Sequence, residues 1–190
     1  RTVSKLIEQI PDHIELIIIP GNHDASRKAL PQPAIPRNYA ETLYAARRLH
    51  SFGNPCTVSL HGVELLLYHG RSLDDAAAAV PNVNFQNPDK AMRILLQSRH
   101  LAPIYGERTP IAPEKRDFMV VERVPDIFHA GHVHVLKCDT YRGTQIVNSG
   151  AWQKQTEYQR KMGLVPTPGI APIVNLQTLQ VATVNFTVPS

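Results

Sequence analysis

The chain has 190 residues, which is long enough to bury a core of ordinary size and argues against an intrinsically disordered protein. A hydrophobic content of 43% and a charged content of 19% are typical of globular proteins, and no apolar run approaches the roughly 18 residues that a membrane-spanning helix needs. The formal charge of +4 suits a polyanionic partner without requiring one. Cys56 and Cys138 lack metal-binding spacing, which favours a reduced intracellular chain over a disulfide scaffold.

The first half of the sequence alternates predicted helices and strands, as an α/β fold does. Apolar residues at helical spacing predict a helix that Pro11 closes, and the β-branched run "HIELIIIP" predicts a strand covered on both faces. Residues 25–37 carry three prolines and predict a stiffened loop, after which "NYAETLYAARRLHSF" predicts a helix ending near Gly53. The run "TVSLHGVELLLYHG" predicts a hairpin that turns at His61-Gly62.

The second half continues the same pattern. Helices are predicted in "SLDDAAAAV", capped by Ser72, and in "NPDKAMRILLQSRHL", capped by Asn87. Residues 102–113 are Pro-rich and irregular, and "PDIFHAGHVH" predicts another strand. A hairpin about Arg142-Gly143, a short helix in "TEYQRKMG" and a closing hairpin in "PIVNLQTLQVATVNFTV" complete the chain. No linker long enough to mark a domain boundary is present.

Three predicted strands end in the same way. Each apolar run stops at a Gly-containing turn and is followed by side chains with nitrogen or oxygen donors. The runs are "LIIIPGNHD", "ELLLYHG" and "DIFHAGHVH", and the donors are Asn22, His23, Asp24, His69, His132 and His134. Ligands of open α/β sheets bind just beyond the strand ends, so we expect these side chains to converge on one site.

The donor types indicate a metal site. Imidazole nitrogens with amide or carboxylate oxygens, and no thiolate, suit divalent ions such as Mn²⁺, Fe²⁺ or Zn²⁺. A single histidine at a strand end is more often a hydrogen-bonded structural residue. Three strand ends bearing "GNHD", "HG" and "GHVH", in that order, favour the metal interpretation instead.

This ordered set of motifs resembles the later motifs of the calcineurin-like metallophosphoesterase superfamily. The surrounding segments, among them "GNHDASRKALPQPAI", "RHLAPIYGERTPIAPE" and "NSGAWQKQTEYQRKMG", are similar to the small subunits of archaeal family D DNA polymerases, and the likeness runs over essentially the whole chain. The resemblance implies the C-terminal part of a four-layer α-β-β-α sandwich. Residues 1–190 would then form part of one phosphoesterase domain.

Metal-binding roles follow from the same resemblance. One metal ion would be bound by Asn22, His69 and His132, and a second by His134. The resemblance favours Mn²⁺, with Fe²⁺ and Zn²⁺ as alternatives. Two such cations, about 3.5–4 Å apart, would share a hydroxide that attacks phosphorus in line while both ions neutralise the developing charge.

The resemblance also implies the activity and its partners. The protein would be a 3′→5′ DNA exonuclease that proofreads for a replicative polymerase, nucleoid-associated in the cytoplasm and bound to DNA and to a large polymerase subunit. His23 would act as general acid or stabilise the transition state beside the scissile phosphate, and Asp24 would orient it. The digestion polarity is taken from the resemblance alone.

Further side chains are candidates for contact with nucleic acid. Phosphate contacts are predicted from Arg27, Lys28 and Arg71, although solvated surface charge explains them equally well. Tyr68, Phe128 and Trp152 could stack on an unpaired base, but burial of these three aromatic side chains in the core is the favoured interpretation.

One part of the superfamily pattern does not occur in the chain. The pattern opens with Asp-x-His and Gly-Asp motifs, and neither precedes Asn22. We expect that the chain is the C-terminal part of a longer subunit rather than a degenerate member. On that interpretation the 190 residues alone bind metal weakly and have little nuclease activity.

Two other functions remain open. The chain could be a non-catalytic scaffold that docks the large subunit through the Pro-rich residues 102–113 or 166–172. It could also be a small-molecule phosphoesterase with the same metal centre. A nuclease shortens a single-stranded oligonucleotide stepwise from its 3′ end and leaves p-nitrophenyl phosphate nearly untouched, which separates nuclease from phosphoesterase activity.

Overall fold

The computed structural model describes residues 2–46 and 48–187, and these form the mixed α/β fold that the sequence predicts. The helices are α1 (Thr2–Ile7), α2 (Glu41–Ala46), α3 (Leu73–Ala79), α4 (Pro88–Ser98) and α5 (Glu157–Lys161), with a short 3₁₀ helix at Arg37–Tyr39. The strands are β1 (Ile17–Ile18), β2 (His50–Ser51), β3 (Cys56–Leu60), β4 (Val63–Tyr68), β5 (Ile127–Ala130), β6 (Leu136–Tyr141), β7 (Thr144–Ser149), β8 (Ile170–Val174) and β9 (Val181–Asn185).

A five-stranded mixed sheet in the order β3-β4-β5-β7-β6 forms the centre of the fold. Its three middle strands, β4, β5 and β7, run parallel to one another, and an antiparallel strand flanks them on each side. Parallel strands end at the same edge of a sheet. The chain segments that follow Tyr68, Ala130 and Ser149 are therefore brought together.

Helix α4 packs against β6 and β7 and carries much of the core. Its Met92 and Leu95 are fully buried in one apolar cluster with Phe128 of β5 and Ile146 of β7. Complete burial of one such side chain stabilises a fold by about 1.5–3 kcal/mol. This packing holds the middle strands in place, and with them the polar residues at their ends.

Both predicted two-residue hairpin turns are confirmed. His61 and Gly62 have φ values of 52° and 84°, and Arg142 and Gly143 have φ values of 48° and 89°. Positive φ at both central residues is the geometry of a tight turn that matches the twist of the flanking strands. The pairings Leu60 with Val63 and Tyr141 with Thr144 close the two turns.

The predicted strand in "HIELIIIP" is much shorter than expected. Only Ile17 and Ile18 are paired, in parallel with His50 and Ser51 of β2, and both are half-buried rather than covered on two faces. The helix predicted from residue 38 to near Gly53 is likewise reduced to the 3₁₀ turn and α2, and β2 follows it. The local pattern did not reveal that these segments form a small separate pair of strands.

The predicted helix caps are only partly correct. Ser72 and Asn87 occupy the N-cap positions of α3 and α4, but neither side chain makes a capping hydrogen bond. Ser72 Oγ donates instead to the carbonyl of Leu101. The Ser72 hydroxyl therefore makes a tertiary hydrogen bond instead of the helix cap that the local sequence predicts. Helix α5 has a complete capping box, formed by Thr156 and Gln159.

No helix within residues 2–46 and 48–187 is both long enough and apolar enough to cross a membrane. The two cysteines, Cys56 and Cys138, are free.

Candidate metal and phosphate site

A cleft of about 690 Å³ lies at the carboxyl ends of the middle strands. Its walls include side chains from all three of the predicted strand-end motifs, namely Asn22, His23, His69, His132 and His134. Because β4 and β5 are parallel neighbours, the residues after Tyr68 and Ala130 reach the same edge. The structure thus brings together five of the six side chains that the sequence predicts to converge, all except Asp24.

Asn22 and His69 already contact each other through donor atoms that could bind a metal ion. Asn22 Oδ1 lies 2.8 Å from His69 Nε2. Neighbouring ligands at about 2.0–2.2 Å from one ion, roughly at right angles, stand about 3 Å apart. The pair therefore fits two adjacent positions around a divalent cation.

The close approach of His69 explains the glycine at position 21. A Cβ built on Gly21 would lie 2.7 Å from His69 Cε1 and 2.8 Å from its Nδ1. Real Cβ atoms do not approach other atoms so closely, so a larger residue at position 21 would displace the imidazole. Gly21 is needed here because it has no side chain. Its backbone conformation does not require glycine, since its φ lies outside the left-handed region.

A buried pair of amide side chains joins the two segments that carry Asn22 and His69. Asn54 Oδ1 accepts from the His69 backbone N–H at 2.8 Å, and Asn54 Nδ2 donates to Gln32 Oε1 at 2.7 Å. Gln32 Nε2 in turn donates to the Gly21 carbonyl at 3.1 Å. Both amide residues are buried. A satisfied network of this kind makes the local geometry rigid.

His132 is held beside His69 from two directions. The Gly131 N–H donates to the His69 carbonyl at 3.1 Å, and the two imidazole rings meet edge to face with centroids 5.0 Å apart. His132 itself has a φ of 65°, an uncommon conformation for a residue with a side chain that occurs more often at functional sites. Its Nε2 lies 3.1 Å from Asp74 Oδ1 of α3.

His134 is oriented by residues that follow it in the chain. Its Nδ1 lies 2.8 Å from Gln159 Nε2, which belongs to the capping box of α5. Buried Asn148 of β7 donates from Nδ2 to the carbonyls of Val133 and Val135, each at 2.7 Å. These contacts fix the backbone on both sides of His134.

The surroundings of two cleft histidines, His69 and His134, lower the pKa of each imidazole and favour its neutral form. Burial, together with the nearby His132, His23 and Arg71, lowers the pKa of His69 to about 4. Burial also lowers the pKa of His134, with smaller contributions from His132 and His23. A neutral imidazole has a free lone pair, as metal binding requires.

The metal interpretation has one limit within the described part of the chain. No group of three or more His, Cys, Asp or Glu side chains is arranged there to hold a metal ion. Asn22 and three histidines supply amide and imidazole donors, whereas Asp74, which also lines the cleft, pairs with His132. The donor types fit a divalent cation, but among the described residues the set lacks a bridging carboxylate.

The other predicted residues fall in different places. Asp24 is exposed, and its Oδ2 accepts from the Gly21 N–H at 2.7 Å, so it closes the "GNHD" turn. Arg27 forms an ion pair with Glu114 and donates from Nε to the Pro31 carbonyl at 2.8 Å. Arg27, Lys28 and Asp24 are not among the described residues that line the cleft, whereas Arg71 lines it.

Several residues that line or support the cleft do not belong to the predicted strand-end motifs. Arg108 lines the cleft beside Arg71, whose Nη2 donates to the Arg108 carbonyl at 3.4 Å. Asp74 falls within the predicted helix of "SLDDAAAAV", and the sequence motifs do not include Gln32, Asn54 or Gln159. One signal was available for Asn148, because "IVNSG" ends a strand with polar residues followed by glycine, as "ELLLYHG" does.

Trp152 corrects one prediction directly. Tyr68 and Phe128 are buried in the core, as favoured from the sequence, but Trp152 is 69% exposed.

The Pro-rich segment at residues 166–172 also differs from a free docking loop. Thr167 donates from its N–H to the His134 carbonyl at 2.9 Å and accepts at Oγ1 from the Leu136 N–H.

Comparison with solved structures finds the protein named Vps29 from Entamoeba histolytica. A single mutant of that protein covers 96% of this chain and 89% of its own chain at 12% identity and a TM-score of 0.43. The wild-type protein complexed with Zn²⁺ covers 90% of this chain and 98% of its own at a TM-score of 0.39. Likeness of this extent carries no conclusion about function.

Among curated proteins, the chain is similar to archaeal proteins named DNA polymerase II small subunit. It is 48% identical to that of Methanothermobacter thermautotrophicus over 90% of this chain and 36% of the relative. It is 46% identical to that of Methanocaldococcus jannaschii over 93% of this chain and 30% of the relative. It is 48% identical to that of Archaeoglobus fulgidus over 86% of this chain and 33% of the relative. The chain spans about a third of the length of these relatives.

These relatives confirm the resemblance to archaeal polymerase small subunits. The sequence model that describes the B subunits of DNA polymerases alpha and epsilon matches residues 1–136, which include the "GNHD", "HG" and "GHVH" motifs. The chain therefore belongs to the DNA polymerase alpha/epsilon B-subunit family.

Proposed function

We propose that the protein containing this chain is a metal-dependent 3′→5′ DNA exonuclease that serves as the small subunit of a replicative DNA polymerase. The observation that carries the proposal is the gathering of Asn22, His23, His69, His132 and His134 in one cleft with two arginines. The names of the archaeal relatives support the polymerase assignment.

The resemblance to metallophosphoesterases supplies the metal-binding residues of this proposal, and the donor types are compatible with them. Asn22, His69 and His132 would hold one divalent ion, and His134 would hold a second; Mn²⁺ is the first choice and Fe²⁺ or Zn²⁺ the alternatives. When bound, the ions would supply an activated water and neutralise charge on the phosphate. The hydrogen bond that the His69 backbone N–H donates to Asn54 Oδ1 would keep His69 in orientation for that task.

The remaining side chains of the cleft would act on the phosphodiester. His23 is exposed on the cleft wall, so its imidazole can approach a bound strand and give a proton to the leaving oxygen. Arg71 and Arg108 line the same cleft and would bind phosphate oxygens. Asp24 would act on His23 only indirectly, by holding the turn at Gly21.

The experiment uses the natural protein that contains this chain, with a single-stranded DNA oligonucleotide labelled at its 5′ end. With Mn²⁺ present, products should shorten stepwise from the 3′ end, while p-nitrophenyl phosphate is left nearly untouched. His23→Ala should lower the rate at least about 100-fold, because general acid catalysis contributes that much. Exposed His13 lies outside the cleft, so His13→Ala is the matched control and should keep the wild-type rate.

The possible outcomes separate the candidate functions. Release of phosphate from small substrates without shortening of the oligonucleotide would establish a phosphomonoesterase instead. Shortening that persists in His23→Ala and in His69→Ala would place the active site elsewhere in the protein.

A second role, docking of the large polymerase subunit, is favoured by a separate surface. Tyr105 is 87% exposed and Phe118 is half-exposed beside a cavity of about 560 Å³ that the Pro-rich residues 102–113 help to line. Exposed aromatic side chains are enriched at protein interfaces. In a capture assay with the large subunit, Tyr105→Ala together with Phe118→Ala should weaken binding and leave oligonucleotide shortening unchanged. Undiminished capture would exclude this surface.

A further inference from the structure

The segment that follows β7 forms part of the cleft wall and has a distinctive composition. Residues 152–162 read "WQKQTEYQRKM", and the side chains Gln153, Thr156, Tyr158, Gln159 and Met162 line the cleft. The segment carries three basic residues and one acidic residue, so its own charge is +2. The candidate metal ligands lie in the same cleft.

Two aromatic side chains of this segment are unusually exposed. Tyr158 lines the cleft and is 70% exposed, and Trp152 is 69% exposed between the lining residues Ala151 and Gln153. The Trp152 ring contacts that of Phe186, with ring centroids 5.5 Å apart. Large aromatic side chains that remain in water at the rim of a cleft indicate a surface that a ligand covers.

The basic residues beside them add an electrostatic component. Lys154 and Arg160 are exposed, and neither makes an ion pair with any other described residue. Lys161 pairs with Glu157 at 3.5 Å on the surface of α5. Exposed aromatic rings interleaved with unpaired cationic side chains are the surface that single-stranded nucleic acids bind, because bases stack on the rings and phosphates contact the charges.

We propose that Trp152 and Tyr158 form a base-stacking platform that holds single-stranded nucleic acid at the mouth of the cleft, with Lys154 and Arg160 contacting its phosphates. The proposal rests on the proposed nuclease function for the identity of the ligand. It adds the residues that select an unpaired strand, since the bases of a duplex are stacked on each other and cannot lie on the two rings.

The test measures binding of the natural protein without metal, in EDTA, so that no strand is cleaved. Fluorescence anisotropy reports the affinity for a labelled oligothymidylate and for an abasic strand of the same length. Wild-type protein should prefer the oligothymidylate by about fivefold or more, the effect expected from one stacked base. Trp152→Ala should remove most of that preference while leaving the abasic affinity within about twofold, and Trp152→Phe should restore it.

Controls separate stacking from charge and from folding. Tyr39 is as exposed as Tyr158 but does not line the cleft, so Tyr39→Ala should keep the full preference. The double variant Lys154→Gln, Arg160→Gln should weaken the binding of both strands equally and reduce the salt dependence of that binding, because phosphate contacts do not distinguish bases.

Two results would overturn the proposal. The first is an undiminished preference for bases in the double variant Trp152→Ala, Tyr158→Ala. The second is unchanged oligonucleotide affinity accompanied by loss of large-subunit capture, which would assign the two rings to a protein interface. Binding is measured without metal and so does not depend on hydrolysis. A protein that binds bases through Trp152 but does not hydrolyse DNA would refute the proposed nuclease function and support the base-stacking platform.

Discussion

The close contact between Gly21 and His69 allows a sharp test of the candidate site. In Gly21→Ala the new Cβ would lie 2.7 Å from His69 Cε1 and 3.1 Å from Nε2. Carbon atoms in contact prefer about 3.5–4.0 Å, so the imidazole must move by roughly 1 Å. The backbone at Gly21 lies outside the left-handed region. Alanine therefore introduces a steric contact without backbone strain.

The displacement has two calculable effects. Overpacking of this kind costs about 1–3 kcal/mol of the free energy of unfolding. A shift of about 1 Å also separates His69 Nε2 from Asn22 Oδ1, which now lie 2.8 Å apart. Functional groups must be held to about 0.5 Å. We therefore expect the Mn²⁺ affinity to fall at least about tenfold, as it does when outer contacts of metal ligands are removed.

Gly62→Ala is the matched control. Gly62 has a φ of +84°, and a Cβ there would meet no atom within 4 Å, so alanine strains the hairpin turn without touching the cleft. The cost in stability is again about 1–3 kcal/mol. Urea unfolding and titration calorimetry with Mn²⁺ then distinguish the two variants. Equal metal affinity in both would refute the reasoning, because loss of stability alone would have the same effect in each.

Further predictions concern stability and reactivity. Asn54→Ala leaves the His69 N–H and Gln32 Oε1 buried without partners and should lower the free energy of unfolding in urea by about 3 kcal/mol, whereas exposed Asn38→Ala should change it by less than about 0.5 kcal/mol. Thr156→Ala removes the capping box of α5 and should cost about 1 kcal/mol in the same assay, most of which Thr156→Ser should restore. Burial raises the pKa of Cys56 to about 11, so at pH 8 its thiolate fraction should be about two orders of magnitude below that of a free cysteine. Peptide-level alkylation with iodoacetamide should therefore be slow at pH 8 and accelerate about tenfold for each added pH unit; rapid labelling at pH 8 would contradict this.

The sequence predicted the framework of the site because that framework depends on strand ends. Apolar runs that stop at a glycine turn locate His69, His132 and His134 without knowledge of any partner, and parallel pairing of β4 with β5 then brings them together. The two hairpin turns were also predictable from local sequence. Each turn depends on two adjacent residues that adopt positive φ.

The remaining contacts were not predictable because they join distant positions. Arg27 looked free to bind phosphate, but it pairs with Glu114, which lies 87 positions further along the chain. Asn54 and Gln32 are unremarkable in their local sequence and acquire their role only when the segments of Gly21 and His69 meet across them. Trp152 was assigned to the core because large aromatic residues usually are buried, and its exposure follows from the position of its segment at the cleft rim.

The contact between His134 and Gln159 spans 25 positions and reaches beyond the last of the middle strands. A ribosome releases the chain from the N-terminus, and folding follows that order. The strand-end donors therefore emerge before the helix that fixes one of them. We expect the side chain of His134 to remain loosely held on a nascent chain until α5 has folded.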